Sequence, residues 1–282
     1  MVTSAQIFKQ IEIADNFLKY ANPGTEEKAR ERARRRYDKA LKLAMASADD
    51  QTVKLVKLRL NDLARTTVRD AQPEVEGYEP SGGSITASEL PEHARDRVPP
   101  GQRVTRGWPV LHVGGVPRFD ATTWRLEVTG QVERGVSLTY SELKALPLME
   151  MRSDFHCVTG WSKLDNYWTG VKVTTILDLA APKDTATHAS VGGGDVYTAN
   201  LPLEVLLDED VMVAWAHNGK DLAPKHGFPL RLVVPKFYAW KSVKWVQTFE
   251  LITSDKRGFW ELRGYHNRAD PWLEERYSYQ EA

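Results

Sequence analysis

Apolar residues recur at helical spacing over residues 4–70 and at strand spacing beyond them. Ile7, Ile11, Ala14 and Leu18 share one helical face, joined by Phe8 and Phe17. Asn22-Pro23-Gly24 stops that helix. Thr25, followed by Glu26 and Glu27, starts a second with a cap and an acidic first turn. Its stripe runs through Ala33, Tyr37, Ala40, Leu41 and Ala44. Asp49 or Asp50 opens a third, carrying Val53, Val56, Leu60 and Leu63. From Gln72 to Ser84 there are two Pro and three Gly and almost no apolar period, so this stretch reads as linker.

The pattern then changes. Trp124-Arg125-Leu126-Glu127-Val128-Thr129 alternates as a half-buried strand does. Val211 to Ala216 is a continuous apolar run ended by the turn pair Asn218-Gly219. Leu230 to Val234 is another run, ended by Pro235, and Val243 to Leu251 alternates over a long span. Short helices fit Thr139 to Leu146, Thr174 to Leu179 and Pro202 to Leu207. The expected fold class is α+β, with mixed β-sheets and short helices, preceded by a small all-α region. The expected division is a helical bundle or arm over 1–70, a linker over 71–84 and one larger domain over 85–282.

Charge supports that division. The chain has 282 residues, 38 Lys and Arg and 38 Asp and Glu, a net of zero. Residues 1–75 carry 15 basic against 11 acidic side chains, leaving 23 against 27 for the rest. All nine Trp, all seven His and the single Cys lie at or after His93. Neutrality argues against a nucleic-acid partner held by phosphate neutralisation. Arg34-Arg35-Arg36 sits inside a helical pattern with no apolar stretch behind it, so it reads as a solvated face rather than an export signal. No stretch reads as a signal peptide or a membrane span, from which a cytoplasmic location is expected. Gly192-Gly193-Gly194 lacks the spacing and ending of a nucleotide-phosphate loop.

One cysteine excludes an internal disulfide and any multi-cysteine metal site. Cys157 lies in Asp154-Phe155-His156-Cys157-Val158-Thr159-Gly160-Trp161-Ser162. Its residue type allows a small buried side chain, a nucleophile paired with a histidine, or one thiolate ligand to a soft metal held mostly by something else. His156 is a poor base for it, because neighbours on a strand face opposite ways.

Phe155 to Ser162, followed by Trp168-Thr169-Gly170-Val171, resembles the cysteine motif of the sulfite oxidase superfamily of molybdopterin enzymes. Asn218-Gly219-Lys220-Asp221-Leu222 and Lys225-His226-Gly227-Phe228-Pro229-Leu230-Arg231 through Pro235 resemble a second block of that family. Trp240-Lys241-Ser242-Val243-Lys244-Trp245-Val246 resembles a third. The resemblance covers residues 85–277, with the three blocks in family order. It implies a molybdenum–molybdopterin cofactor, with Cys157 as the protein's metal ligand. It implies that His226, Arg231, Ser242 and Lys244 hold the phosphate and pterin, and that Arg106 or Trp108 lines the pocket. Gly193, Asp195 and Tyr197 fall in another stretch that lines the site in relatives. Tyr265, Trp260, Arg257 and His266 are expected pocket neighbours.

The implied activity is two-electron oxygen-atom transfer on a small oxoanion or an S- or N-oxide. Electrons would pass to or from a separate carrier protein or membrane subunit, and no haem is expected, because no His precedes His93. Trp161-Ser162-Lys163 departs from sulfite oxidases, which place arginines there. It resembles the motif of bacterial methionine-sulfoxide-reductase-type relatives instead. The loss of those arginines leaves an alternative, a cofactor-binding or partner-docking protein of the same fold without turnover.

Overall fold

The computed structural model describes residues 84–281 throughout. Before them it describes 26–47 and residues 6–7, 9–11, 13–14, 52–53, 56–57 and 60. Contacts divide the chain into two units, Met1–Glu74 with Leu262–Gly264 and Tyr279–Ala282, and Val75–Glu261 with Tyr265–Ser278. The expected linker lies, apart from Ser84, outside the described residues. So do Phe8, Phe17, Leu18, the Asn22–Thr25 stop-and-start signal, Asp49, Asp50 and Leu63.

In the first unit, helix α1 (Glu26–Ala46) buries Ala33, Tyr37, Ala40 and Ala44. Those positions recur every three or four residues, as one face of a helix must. Ile7, Ile11, Ala14 and Val56 join the same buried cluster. Arg34 and Arg35 are exposed on the opposite side, and Arg35 pairs with Glu31 one turn away. Arg36 is half-buried and donates to Gln10 Oε1 at 2.9 Å, so the solvated face of the run is Arg34 and Arg35.

The second unit runs β1 (Ile85–Thr86), α2 (Glu92–Arg95), β2 (Arg103–Val104), β3 (Arg125–Gly130), β4 (Val136–Thr139), α3 (Tyr140–Lys144), β5 (Met149–Cys157) and β6 (Trp161–Lys172). It continues through α4 (Val173–Ala180), β7 (His188–Gly193), β8 (Tyr197–Pro202), α5 (Leu203–Leu206), β9 (Met212–His217), β10 (Lys220–Asp221), β11 (Arg231–Val233) and β12 (Val246–Ile252). A seven-stranded sheet has the path β1-β2-β6-β9-β10, with β5 beside β6 and β11 beside β9. A five-stranded sheet has the order β4-β3-β12-β7-β8. Both sheets mix parallel and antiparallel pairs, as β2–β6 and β3–β12 are parallel. This is the expected α+β architecture.

Strand β9 is buried on both faces. Val213 and Trp215 enter the main core with Leu126, Ile176, Leu232 and Phe249. Met212 and Ala214 enter a second cluster with Phe155, Trp168 and Val233, against which Trp108, Trp161 and Phe228 pack. That explains an uninterrupted apolar run where a half-buried strand would alternate. After β9, Asn218 (φ 51°) and Gly219 (φ 75°) turn the chain into β10, a hairpin geometry that requires left-handed residues.

A residue of the cysteine motif also has a packing reason. A Cβ on Gly170 would lie 1.9 Å from the Val213 carbonyl oxygen of the neighbouring strand. Gly170→Ala is therefore expected to cost more than about 2 kcal/mol, because backbone must move in the middle of a sheet. Urea unfolding checks this, and an unchanged midpoint would refute the close approach.

One sequence expectation is corrected. The strand expected from Val243 begins at Val246, because Trp245 sits at φ 55° and interrupts extension. Lys244 makes an isolated bridge with Arg231 instead. The interruption frees the Lys244 side chain for the site described next.

Candidate metal and cofactor site

Cys157 ends β5, and Val158-Thr159-Gly160 turns the chain into β6. The turn closes through the Gly160 N–H on the Cys157 carbonyl, at 3.0 Å, with Gly160 at φ 92°. Register pairs Cys157 with Trp161, His156 with Ser162 and Phe155 with Lys163. Paired residues share a face, so Phe155 and Cys157 lie with Trp161 and Lys163. His156 lies opposite, its Nδ1 2.8 Å from the Ser162 hydroxyl. It is not the base of a thiol nucleophile.

The Cys157 side chain is buried, with its Sγ 3.1 Å from the Thr159 hydroxyl. Burial pushes the thiol up, while Thr159 and the charges of Lys244 and Arg276 oppose that shift. Two distant residues hold the turn. Gln102 Nε2 donates to the Cys157 carbonyl at 3.1 Å, and Arg276 Nη1 donates to the Val158 carbonyl at 2.5 Å.

Arg231 and Lys244 converge on this thiol. Arg231 is 3% exposed and donates to the carbonyls of His226 (2.9 Å) and Ser242 (3.2 Å). Its guanidinium lies 4.8 Å from the Phe155 ring centre and 5.4 Å from that of Trp108. Lys244 Nζ donates to the carbonyls of Leu111 (2.7 Å) and Lys225 (2.9 Å). Burial lowers Arg231 to about 9 and Lys244 to about 7. Among the described residues neither cation meets a carboxylate, and Arg231 Nε has no partner. Gly193 lets Lys244 come this close, since a Cβ there would lie 2.1 Å from the Lys244 carbonyl oxygen.

Aromatic rings wall the pocket. Trp108 stacks on His226 at 3.9 Å and 12°, and lies 4.3 Å from His217. His226 Nδ1 is buried without a partner among the described residues. Burial, then the charge of Arg231, lowers His226 to about 3, so its ring is neutral. His217 shares a bond with Asn166 Oδ1 at 3.0 Å and is lowered to about 4 by burial.

His217 makes the cofactor-free protein acid-sensitive. The unfolded chain takes its proton near pH 6.5, the folded one only near 4. Stability from this group is therefore complete above about 6.5 and is lost as pH falls toward 4. At pH 5 the loss is about 1–2 kcal/mol. His217→Gln should shrink the stability difference between pH 7 and pH 5 by that amount in urea titrations. An undiminished difference would refute it.

The other expected residues divide. Ser242 is buried, and its hydroxyl accepts the Val234 N–H at 3.0 Å while its carbonyl takes Arg231. Arg106 is exposed, and its carbonyl receives the Lys163 ammonium at 3.3 Å. Asp195 is exposed. Tyr197 donates to the Trp240 carbonyl at 2.5 Å, and both Arg231 and Cys157 act on its phenol electrostatically. Tyr265 packs on Trp240 and Trp260, and Arg257 acts on Lys241 rather than on Cys157. His266 accepts the N–H groups of Arg268 and Ala269, forming its own loop. Gln102 and Arg276 are the site residues that sequence reasoning missed. Neither stands in a motif, and each reaches the turn from far along the chain.

A buried thiol with a buried Arg231 and a half-buried Lys244, neither paired with a carboxylate among the described residues, fits a metal held by one thiolate within an anionic, phosphate-bearing cofactor. Donor types agree, since a soft thiolate suits a sulfur-ligated metal and Arg and Lys suit phosphate. Among the described residues no group of three or more His, Cys, Asp or Glu side chains gathers to hold a metal alone.

Fold and site thus define a cofactor-dependent oxidoreductase domain. Residues 113–260 match the oxidoreductase molybdopterin binding domain family, and the chain belongs to that family. It is 46% identical over 184 residues to the uncharacterized oxidoreductase YuiH of Bacillus subtilis, covering 65% of this chain and 93% of that one. It is 31% identical over 170 residues to a putative protein-methionine-sulfoxide reductase subunit, YedZ1, of Azospira oryzae, covering 59% and 64%. It is 29% identical over 193 residues to a nitrate reductase of Hordeum vulgare, covering 57% of this chain and 21% of that protein. The protein is a molybdopterin-dependent oxidoreductase. Among the described residues no helix is long and apolar enough to cross a membrane.

Proposed function

We propose that this protein carries out two-electron oxygen-atom transfer on a small oxoanion or an S- or N-oxide, with Cys157 as the protein's molybdenum ligand. The observation that carries this is the buried Cys157 thiol beside the buried Arg231 and the half-buried Lys244, two cations that among the described residues pair with no carboxylate. When bound, the molybdenum–pterin group supplies a two-electron redox centre. Arg231 offers its unpartnered Nε–H, and Lys244 a point charge, to the phosphate. Trp108 and His226, stacked together, would hold the pterin, and the buried His226 Nδ1, without a partner among the described residues, would take a polar contact from it. Ser242 positions Arg231 through its carbonyl and keeps a hydroxyl proton to donate. Arg106 is exposed.

His156, the histidine next to the thiol in sequence, does not serve it as a base. His156 is tied to Ser162 and held neutral at neutral pH. The two relatives named for methionine sulfoxide and nitrate support the substrate class. The first of them is named as a subunit, which supports exchange of electrons with a separate carrier.

The test is elemental analysis of protein purified from a host that makes the pterin, followed by reduced-viologen assays on sulfoxides, N-oxides and nitrate and a dye-linked sulfite assay. About one molybdenum per chain, with turnover of one substrate in this set, is expected. Molybdenum-loaded protein inert to the whole set would overturn oxygen-atom transfer. Activity that survives molybdenum depletion and is lost on thiol alkylation would overturn the metal reading.

A further inference from the structure

We propose that helix α1 docks the protein on an anionic lipid surface through one basic face. Lys28, Arg32, Arg35, Lys39 and Lys42 are all exposed on this helix. Their spacings of four, three, four and three residues place them in a single row. Ala33, Tyr37, Ala40 and Ala44 keep the same alternation on the buried side, so the two rows run along the helix together. At a rise of about 1.5 Å per residue the basic row is about 20 Å long.

Solvation alone does not favour such a row. Cations three and four residues apart repel one another on a helix, whereas a face that only meets water gains from opposite signs at those spacings. Glu31 and Asp38 fall to one side of the row, with Arg34 and Met45. Arg35 and Glu31 pair with side chains 76% and 62% exposed, a contact that water and salt weaken. The make-up of the face selects the occupant. A protein interface favours an aromatic or apolar centre and few lysines, and this row has three lysines and no apolar member. A nucleic acid is disfavoured by a chain whose 38 basic side chains are matched by 38 acidic ones. An anionic membrane surface asks only for charge, and clusters of about four to eight Lys and Arg on an amphipathic helix bind it. The contact is peripheral, since among the described residues no helix is long and apolar enough to cross a membrane. It does not depend on the cofactor reading.

The test sediments the full-length protein with vesicles of phosphatidylcholine alone and of a phosphatidylcholine–phosphatidylglycerol mixture. Melting temperature is measured first for wild type, Lys39→Gln, Lys39→Gln with Lys42→Gln, and Arg34→Gln. All four should melt together, because each change replaces an exposed side chain. Wild type is expected to sediment with the mixed vesicles, to ignore phosphatidylcholine and to be released by salt. Lys39→Gln should bind about fivefold more weakly and the double variant about thirtyfold, as one and two cations leave the surface. Arg34→Gln, which removes a neighbouring charge off the row, should stay near wild type. Equal sedimentation with both vesicles, none with the mixed vesicles, or equal losses in Arg34→Gln and Lys39→Gln would each overturn the proposal. So would a wild type that ignores vesicles but binds polyglutamate or duplex DNA, which would give the face to a protein or a nucleic acid.

Discussion

Cys157→Ser loses molybdenum and turnover together while the fold survives. Serine is nearly isosteric and can keep the contact with Thr159 that the thiol makes at 3.1 Å. The cofactor-free variant should therefore unfold within about 1 kcal/mol of wild type. Metal binding is different. A serine hydroxyl does not ionise near neutral pH, and a hard oxygen is a poor match for a sulfur-ligated metal. No cluster of alternative donors stands nearby among the described residues. Molybdenum is expected to fall from about one per chain to a small fraction, and activity with it. Elemental analysis beside a melting curve decides the matter. Full molybdenum retention in Cys157→Ser sinks the ligand assignment.

Replacing the domain's two most buried cations by methionine should have opposite consequences. Lys241 is 1% exposed and pairs at 2.6 Å with the buried Glu261, which also receives Trp240 Nε1 at 2.9 Å. Lys241→Met leaves that carboxylate buried without its counter-charge, a loss of about 3–5 kcal/mol. Among the described residues Arg231 has no carboxylate to strand. Its removal costs hydrogen bonds to two carbonyls, partly offset because a buried, unpaired cation is itself unfavourable. Arg231→Met should thus unfold close to wild type when cofactor-free, yet hold the cofactor about a hundredfold more weakly. Urea unfolding and cofactor retention after gel filtration separate the two. Strong destabilisation by Arg231→Met with normal cofactor retention would reverse the assignment.

The sequence made some of this visible and hid the rest for physical reasons. Strand β9 was legible because burial on both faces leaves an unbroken apolar run, and its turn because Asn218 and Gly219 must be left-handed. Cys157, Arg231 and Lys244 were legible through motifs whose spacing reflects one hairpin and one bridge. The true start of β12 was not legible. Alternation continues through Lys244 and Trp245, and nothing in a tryptophan announces a left-handed backbone. His217 was harder still, since what brings it to Trp108 is a tertiary ring contact at 4.3 Å, whereas Trp108 was already marked by its place in the family pattern. His266 looked like a pocket histidine and proved to be a loop acceptor, a role set by the N–H groups of Arg268 and Ala269.

The turn that carries the thiol is braced from both flanks of the domain, by Gln102 before it and Arg276 after it. Both residues, and Trp108, fall outside the 113–260 stretch that family similarity recognises. The inherited module and the working module are therefore different lengths of chain. A fragment cut to the family limits would keep Cys157, Arg231, Lys244 and most of both sheets. It would lose β1 and β2, Gln102, Arg276 and Trp108, and with them the hydrogen bonds that hold the Cys157 turn. Any minimal version of this enzyme has to be drawn around the hydrogen bonds of one three-residue turn.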